Sequence, residues 1–100
     1  VSEQDFRTNR AVLPAQIRAG RGLLDWSRTR LAKESGVSLR ALVEIESGET
    51  ARPQIRTLNA LTAALTAAGV EFIPANGGGP GVRLTREAAL REAMAIVKRD

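Results

Sequence analysis

Apolar residues recur along this chain at two different periods. Between residues 14 and about 68 they fall three or four apart, the spacing of helices that bury one face. Between Val70 and Leu84 they gather into two short β-branched or aromatic runs on either side of a glycine-rich stretch. A first helix opens at Pro14, whose missing N–H is harmless in a first turn, and runs to about Leu24. Its inward face carries Ile17, Gly20, Arg21 and Leu24. An arginine on an inward face calls for a partner.

Two further helices follow closely. Ser27 reads as the N-cap of the second, with Trp26 and Leu31 around it as a hydrophobic staple. Ser38 caps the third, with Val37 and Leu42 in the same roles. Gly36 and Gly48 can take the left-handed conformation that ends each helix. Over residues 31–48, LAKESGVSLRALVEIESG, the apolar positions Leu31, Ala32, Val37, Leu42 and Ile45 hold the pair together. Two short helices joined by a glycine-containing turn make a helix-turn-helix, whose second helix can enter a DNA major groove.

Pro53 is expected to open a fourth helix to about Ala68, with Ile55, Leu58, Leu61 and Leu65 as its core stripe and Gly69 as its end. Residues 70–73 and 82–84 read as a small hairpin, with Glu71 and Arg83 able to pair across it. The PANGGGPG between them is a wide connection; it lacks the Lys and Ser/Thr of a phosphate loop. Thr85 can cap a last helix over residues 86 to about 98, with a stripe of Ala89 or Leu90, Ala93, Met94 and Val97. A lone hairpin is marginal in water, so it must pack on the bundle or pair with a second subunit. There are no internal repeats, and 100 residues suit one domain.

Composition narrows the chemistry. Apolar residues make up 43% of the chain but aromatics only 3%, so the core is aliphatic. With no Cys and no His, disulfides, the usual zinc sites, thiol chemistry and imidazole acid–base chemistry are excluded together. Glu44 and Glu46, two apart on a helix, do not face each other as a catalytic pair. No enzyme, cofactor or metal is expected. No apolar run approaches the roughly 20 residues of a membrane span, and VSEQDFRTNR does not read as a secretory signal. A cytoplasmic protein without membrane partners is expected. The net charge is +4 and 13 of the 15 basic residues are Arg. Residues 7–56 hold ten basic and five acidic side chains. Arginine suits phosphate and guanine contacts, although a high-GC genome also favours it.

The segment LAKESGVSLRALVEIESGETARP closely resembles the helix-turn-helix of the Cro and cI-like regulators, the xenobiotic-response-element family. The matching positions are Leu31, Ala32, Gly36, Val37, Ser38, Leu42, Ile45, Glu46 and Gly48, then a short loop to Pro53. The resemblance covers about residues 13–70. GVEFIPANGGGPGVRL also resembles the tail of many short regulators of this type from alphaproteobacteria. The fold implied is mainly α: a lambda-repressor-like helix-turn-helix bundle of four to five helices, with a short C-terminal β-hairpin and a last helix.

The resemblance also implies roles. Arg21 and Glu46 match a structural ion pair between the first helix and the end of the recognition helix. Ser38, Leu39, Arg40 and Glu44 match positions facing base edges. Arg40 suits guanine; Leu39 either meets a thymine methyl or is partly buried; Glu44 accepts from cytosine, holds Arg40, or is merely solvated. Arg28 replaces a glutamine that often touches the DNA backbone. Ser27, Arg28, Arg30, Arg52 and Arg56 are the expected phosphate contacts, with a solvated face as the alternative for Arg30, Lys33 and Arg56.

The expected organisation is a flexible arm over residues 1–12, a DNA-binding domain over 13–69, and a dimerisation tail over 70–100. Arg7 and Arg10 of the arm either touch DNA or simply fray. Phe72, Val82, Leu84, Leu90, Met94 and Val97 are the candidate dimer contacts, unless the last helix closes over its own bundle. The expected function is a transcriptional regulator, a repressor, binding double-stranded DNA as a homodimer on an inverted repeat. The rivals are an antitoxin-type partner of a toxin and a protein-interaction module that reuses the fold.

Overall fold

A computed structural model of the chain describes residues 12–50 and 53–99. Where each helix begins and ends follows from local hydrogen bonding. Helix α1 (Pro14–Leu24) starts after an extended Leu13, whose N–H donates to Gln16 Oε1 at 2.8 Å. It ends at Asp25, which takes the left-handed conformation (φ 56°) open to aspartate at modest cost. In α2 (Arg28–Ser35), Ser27 Oγ accepts from the Arg30 N–H at 3.0 Å. In α3 (Leu39–Ser47), Ser38 Oγ accepts from the Ala41 N–H at 3.1 Å. Gly36 and Gly48, at φ 76° and 78°, end these two helices.

The fourth helix, α4 (Ile55–Ala67), begins two residues later than Pro53 suggests. Gln54 is its extended N-cap, and the Gln54 carbonyl accepts from Leu58 N–H at 3.1 Å, so Pro53 lies outside the first turn. Strands β1 (Val70–Ile73) and β2 (Gly81–Leu84) pair antiparallel, Val70 opposite Leu84 and Glu71 opposite Arg83. Arg83 Nε and Glu71 Oε2 are 2.6 Å apart on the exposed face. Helix α5 (Arg86–Arg99) is capped by Thr85, whose Oγ1 accepts from Ala88 N–H.

The core is aliphatic. Ile17, Leu31, Leu42, Ile45, Leu61, Leu65 and Val70 bury together, with Leu23, Trp26, Val37, Leu58, Phe72 and Val82 packed around them. Helices α2 and α3 pack on each other, α1 on α3 and the hairpin, and α2 on α4. Ile55, expected in the stripe, is instead 75% exposed. Two successive three-residue steps carry it about 120° around the helix from Leu61, off the buried line. Gln16 ties the hairpin down: it is buried, and its Nε2 donates to the Gly81 carbonyl at 3.1 Å.

Of the tail residues expected at a dimer contact, Phe72 and Val82 are half-buried against the core of their own chain. Leu84 is half-buried as well. Leu90, Met94 and Val97 are exposed, so the last helix does not close over its own bundle. Arg52 and residues 1–11, with Arg7 and Arg10, lie outside the described residues. Among the described residues no helix is long and apolar enough to cross a membrane.

Candidate nucleic-acid interface

Helix α3 has two faces. Leu42, Ile45 and Glu46 are buried, while Leu39, Arg40 and Ser47 are exposed. The Arg40 side chain is 91% exposed, and its Nε lies 3.3 Å from Glu44 Oε1, one turn on. Leu39 is 45% exposed, too open for a core residue of its own chain. The Ser38 hydroxyl spends an acceptor site on the helix cap and keeps its proton to donate. The outer face at the start of α3 therefore carries a hydroxyl, an apolar side chain and a guanidinium, all open to solvent.

What holds this helix at a fixed attitude is Glu46. Its side chain is 0% exposed, and Arg21 grips it with two hydrogen bonds of 2.7 Å, Nε to Oε2 and Nη2 to Oε1. Arg21 Nη1 also donates to the Trp26 carbonyl at 3.0 Å. One guanidinium thus joins α1, the end of α3 and the loop that leads into α2. Burial pushes the Glu46 carboxyl up, but hydrogen bonds and charge from Arg21 and Arg28 outweigh it and hold the group below its usual range. The hydrogen bond to Glu46 holds Arg21 above its ordinary value, against the opposing effect of burial.

Two further arginines converge on the same residue. Arg28 Nε donates to Glu46 Oε1 at 3.2 Å while its side chain stays 50% exposed. Arg28 thus has a structural partner besides its expected place at the DNA backbone. Arg18 Nη1 donates to the Glu46 carbonyl oxygen. Arg18 is not among the residues expected at the site; its spacing of one turn from Arg21 on α1 is the signal that points to it. Arg30, at the start of α2, lies over the Trp26 ring at 4.7 Å and 3.5 Å from Glu34. Its placement by an aromatic ring is likewise unforeseen. Arg56 is exposed in the first turn of α4.

A helix-turn-helix family model matches residues 17–66, half of the chain, from α1 through nearly all of α4. The chain belongs to the helix-turn-helix family of the Cro/cI type. Members of this family are DNA-binding regulators and generally not enzymes. The match takes in the two capped helices, the Arg21–Glu46 pair and the exposed start of α3. No curated protein matches the chain.

Proposed function

We propose that this helix-turn-helix protein is a transcriptional repressor of the short alphaproteobacterial type that binds duplex DNA as a homodimer. Helix α3 lies in the major groove, with Ser38, Leu39, Arg40 and Glu44 toward base edges. Ser27, Arg28, Arg30, Arg52 and Arg56 meet phosphates on either side. The working unit for DNA is residues 13–69, with 1–12 as an arm and 70–100 as the tail that makes the dimer. Two-fold symmetry then asks for an inverted-repeat operator with half-sites about one turn, roughly 34 Å, apart.

The observation that carries this reading is Arg40. It stands nearly fully exposed in the first turn of a helix whose other face is buried and clamped through Glu46. A rigidly seated helix with an exposed guanidinium at its leading end suits bidentate contact with guanine. Glu44 serves as the seat that aims Arg40. Phosphate contacts supply most of the affinity and make it salt-dependent.

Selection of bound fragments from genomic DNA, followed by titration on the recovered site at two salt concentrations, tests the reading. A recovered inverted repeat with salt-sensitive binding is the expected result. Absence of any salt-sensitive duplex binding sinks it.

A further inference from the structure

We propose that the outward apolar face of α5 is the docking surface for a second copy of this chain, paired antiparallel about a two-fold axis near Ala93 and Met94. This rests on the homodimer reading above and deepens it, naming the surface and its register.

Of α5 residues 86–98, only Ala88 in the first turn is buried on its own chain. Ala88 is buried against the Gly69 turn, while residues 89–98 are all exposed. Arg91 and Glu92 line a shallow cleft with Leu23, Leu24 and Ala68, so Ala88, Arg91 and Glu92 mark the side of the helix that faces the body. At about 100° per residue, Ala89, Leu90, Ala93, Met94, Ile96 and Val97 form a continuous arc on the opposite side. The four large members are 63%, 50%, 54% and 66% exposed for Leu90, Met94, Ile96 and Val97. Together they offer on the order of 400 Å² of apolar surface, the size of the largest patch on a typical monomer, which is often functional. A 14-residue helix with Ala88 as its one buried residue over 86–98 has little of the tertiary burial that normally stabilises helices.

Charge selects the occupant. Glu87 and Lys98 border the arc on the same flank, one near each end. An antiparallel pair that sets Leu90 over Val97 of the second copy brings Glu87 close to that copy's Lys98, twice by symmetry. In a parallel pair these residues lie eleven positions apart and cannot meet. Opposed helix dipoles favour the same arrangement. The buried area is at the small end for a stable interface, so the free dimer is weak and concentration-dependent.

Sedimentation equilibrium of the full chain without DNA, across the micromolar range, is the test. The expected mass rises toward twice 10.7 kDa with concentration. Met94→Glu and Leu90→Glu each weaken association by at least about tenfold, the scale of losing a large apolar contact, with unchanged far-UV circular dichroism. Glu87→Lys weakens it too, and adding Lys98→Glu restores it. The chain has no cysteine, so a mixture of Leu90→Cys and Val97→Cys copies should cross-link on oxidation while Leu90→Cys alone does not. A monomer throughout the range overturns the proposal, as does a dimer that Met94→Glu leaves intact. Self-cross-linking of Leu90→Cys overturns the antiparallel register. Salt-sensitive duplex binding is measured separately, so a chain that dimerises through α5 but ignores DNA sinks only the DNA reading.

Discussion

Arg21 and Glu46, 25 residues apart in the chain, meet through two parallel hydrogen bonds of 2.7 Å with the carboxylate wholly buried. A buried carboxylate of this kind is tolerable because both of its oxygens accept from a guanidinium. Removing one side strands the other. Arg21→Met, which leaves the buried Glu46 carboxylate with Arg28 alone, is expected to cost about 3–5 kcal/mol, the usual penalty for an uncompensated buried charge. Replacing both at once, as Arg21→Met with Glu46→Leu, should recover most of that loss. Urea unfolding of the single and the double variant checks it; a double variant no more stable than the single one would show that the pair is not a buried unit.

The same pair sets a pH dependence. Glu46 is held below the ordinary carboxylate value, so the native state binds its proton less readily than the unfolded chain does. Its contribution is complete above the unfolded value of about 4.3 and is lost as pH falls through the lowered native value. The urea midpoint should therefore drop as pH falls below about 4.3, and Glu46→Gln, less stable at neutral pH, should drop less steeply. Glu71 is lowered by Arg83 in the same direction but lies on the exposed face of the hairpin, where solvent screens the pair, so Glu71→Gln should leave the acid limb nearly unchanged. Parallel acid limbs for Glu46→Gln and the parent would assign the pH dependence to other carboxylates.

Arg40 and Arg28 should separate in DNA binding. Arg40→Ala is expected to cost about 1–3 kcal/mol on the operator and to relax preference at one base pair. Arg28→Ala should weaken all sequences alike and lower the salt slope by about one unit. Binding to operator and random duplex across a salt series distinguishes them. Uniform weakening by Arg40→Ala would move that residue to the phosphate contacts. Glu46→Gln, by loosening Arg28, should raise the dissociation constant without changing base preference.

Two glycines should respond to alanine with opposite sign. Gly69 sits at φ 110°, and a Cβ there would lie 2.6 Å from the Ala88 Cβ, so the α5 base cannot accept it. Gly69→Ala should destabilise by about 1–3 kcal/mol and disturb the seat of α5. Gly22 lies within α1, and a methyl group added there would meet nothing within 4 Å, so Gly22→Ala should stabilise by about 0.4–1 kcal/mol. Thermal unfolding of both variants checks the pair.

The helices and the hairpin were legible because their signals are local. Ser27 and Ser38 bond to N–H groups three residues on, and Gly36 and Gly48 end helices by their own backbone freedom. The register that sets Glu71 opposite Arg83 follows from the alternation of two short strands. The region around Glu46 was less legible. Its bond to Arg21 was suggested by family resemblance rather than spacing. The bonds to Arg28 and Arg18 depend on how α1, α2 and α3 come together, which no local pattern encodes.

By itself the sequence determined where each element starts and stops to within a residue or two, which aliphatic side chains form most of the core, and that a basic helix-turn-helix was present. The tertiary structure decided which way each amphipathic face points. Periodicity makes Ile55 look like part of a buried stripe, yet the packing of α4 through Leu61 and Leu65 leaves it in solvent. The apolar stripe of α5 is equally clear in the sequence, but its direction depends on the tight approach of Ala88 to Gly69, which turns that stripe away from the body. A helical period defines a face only relative to the helix axis; the contact that fixes rotation about that axis comes from a residue distant in the chain.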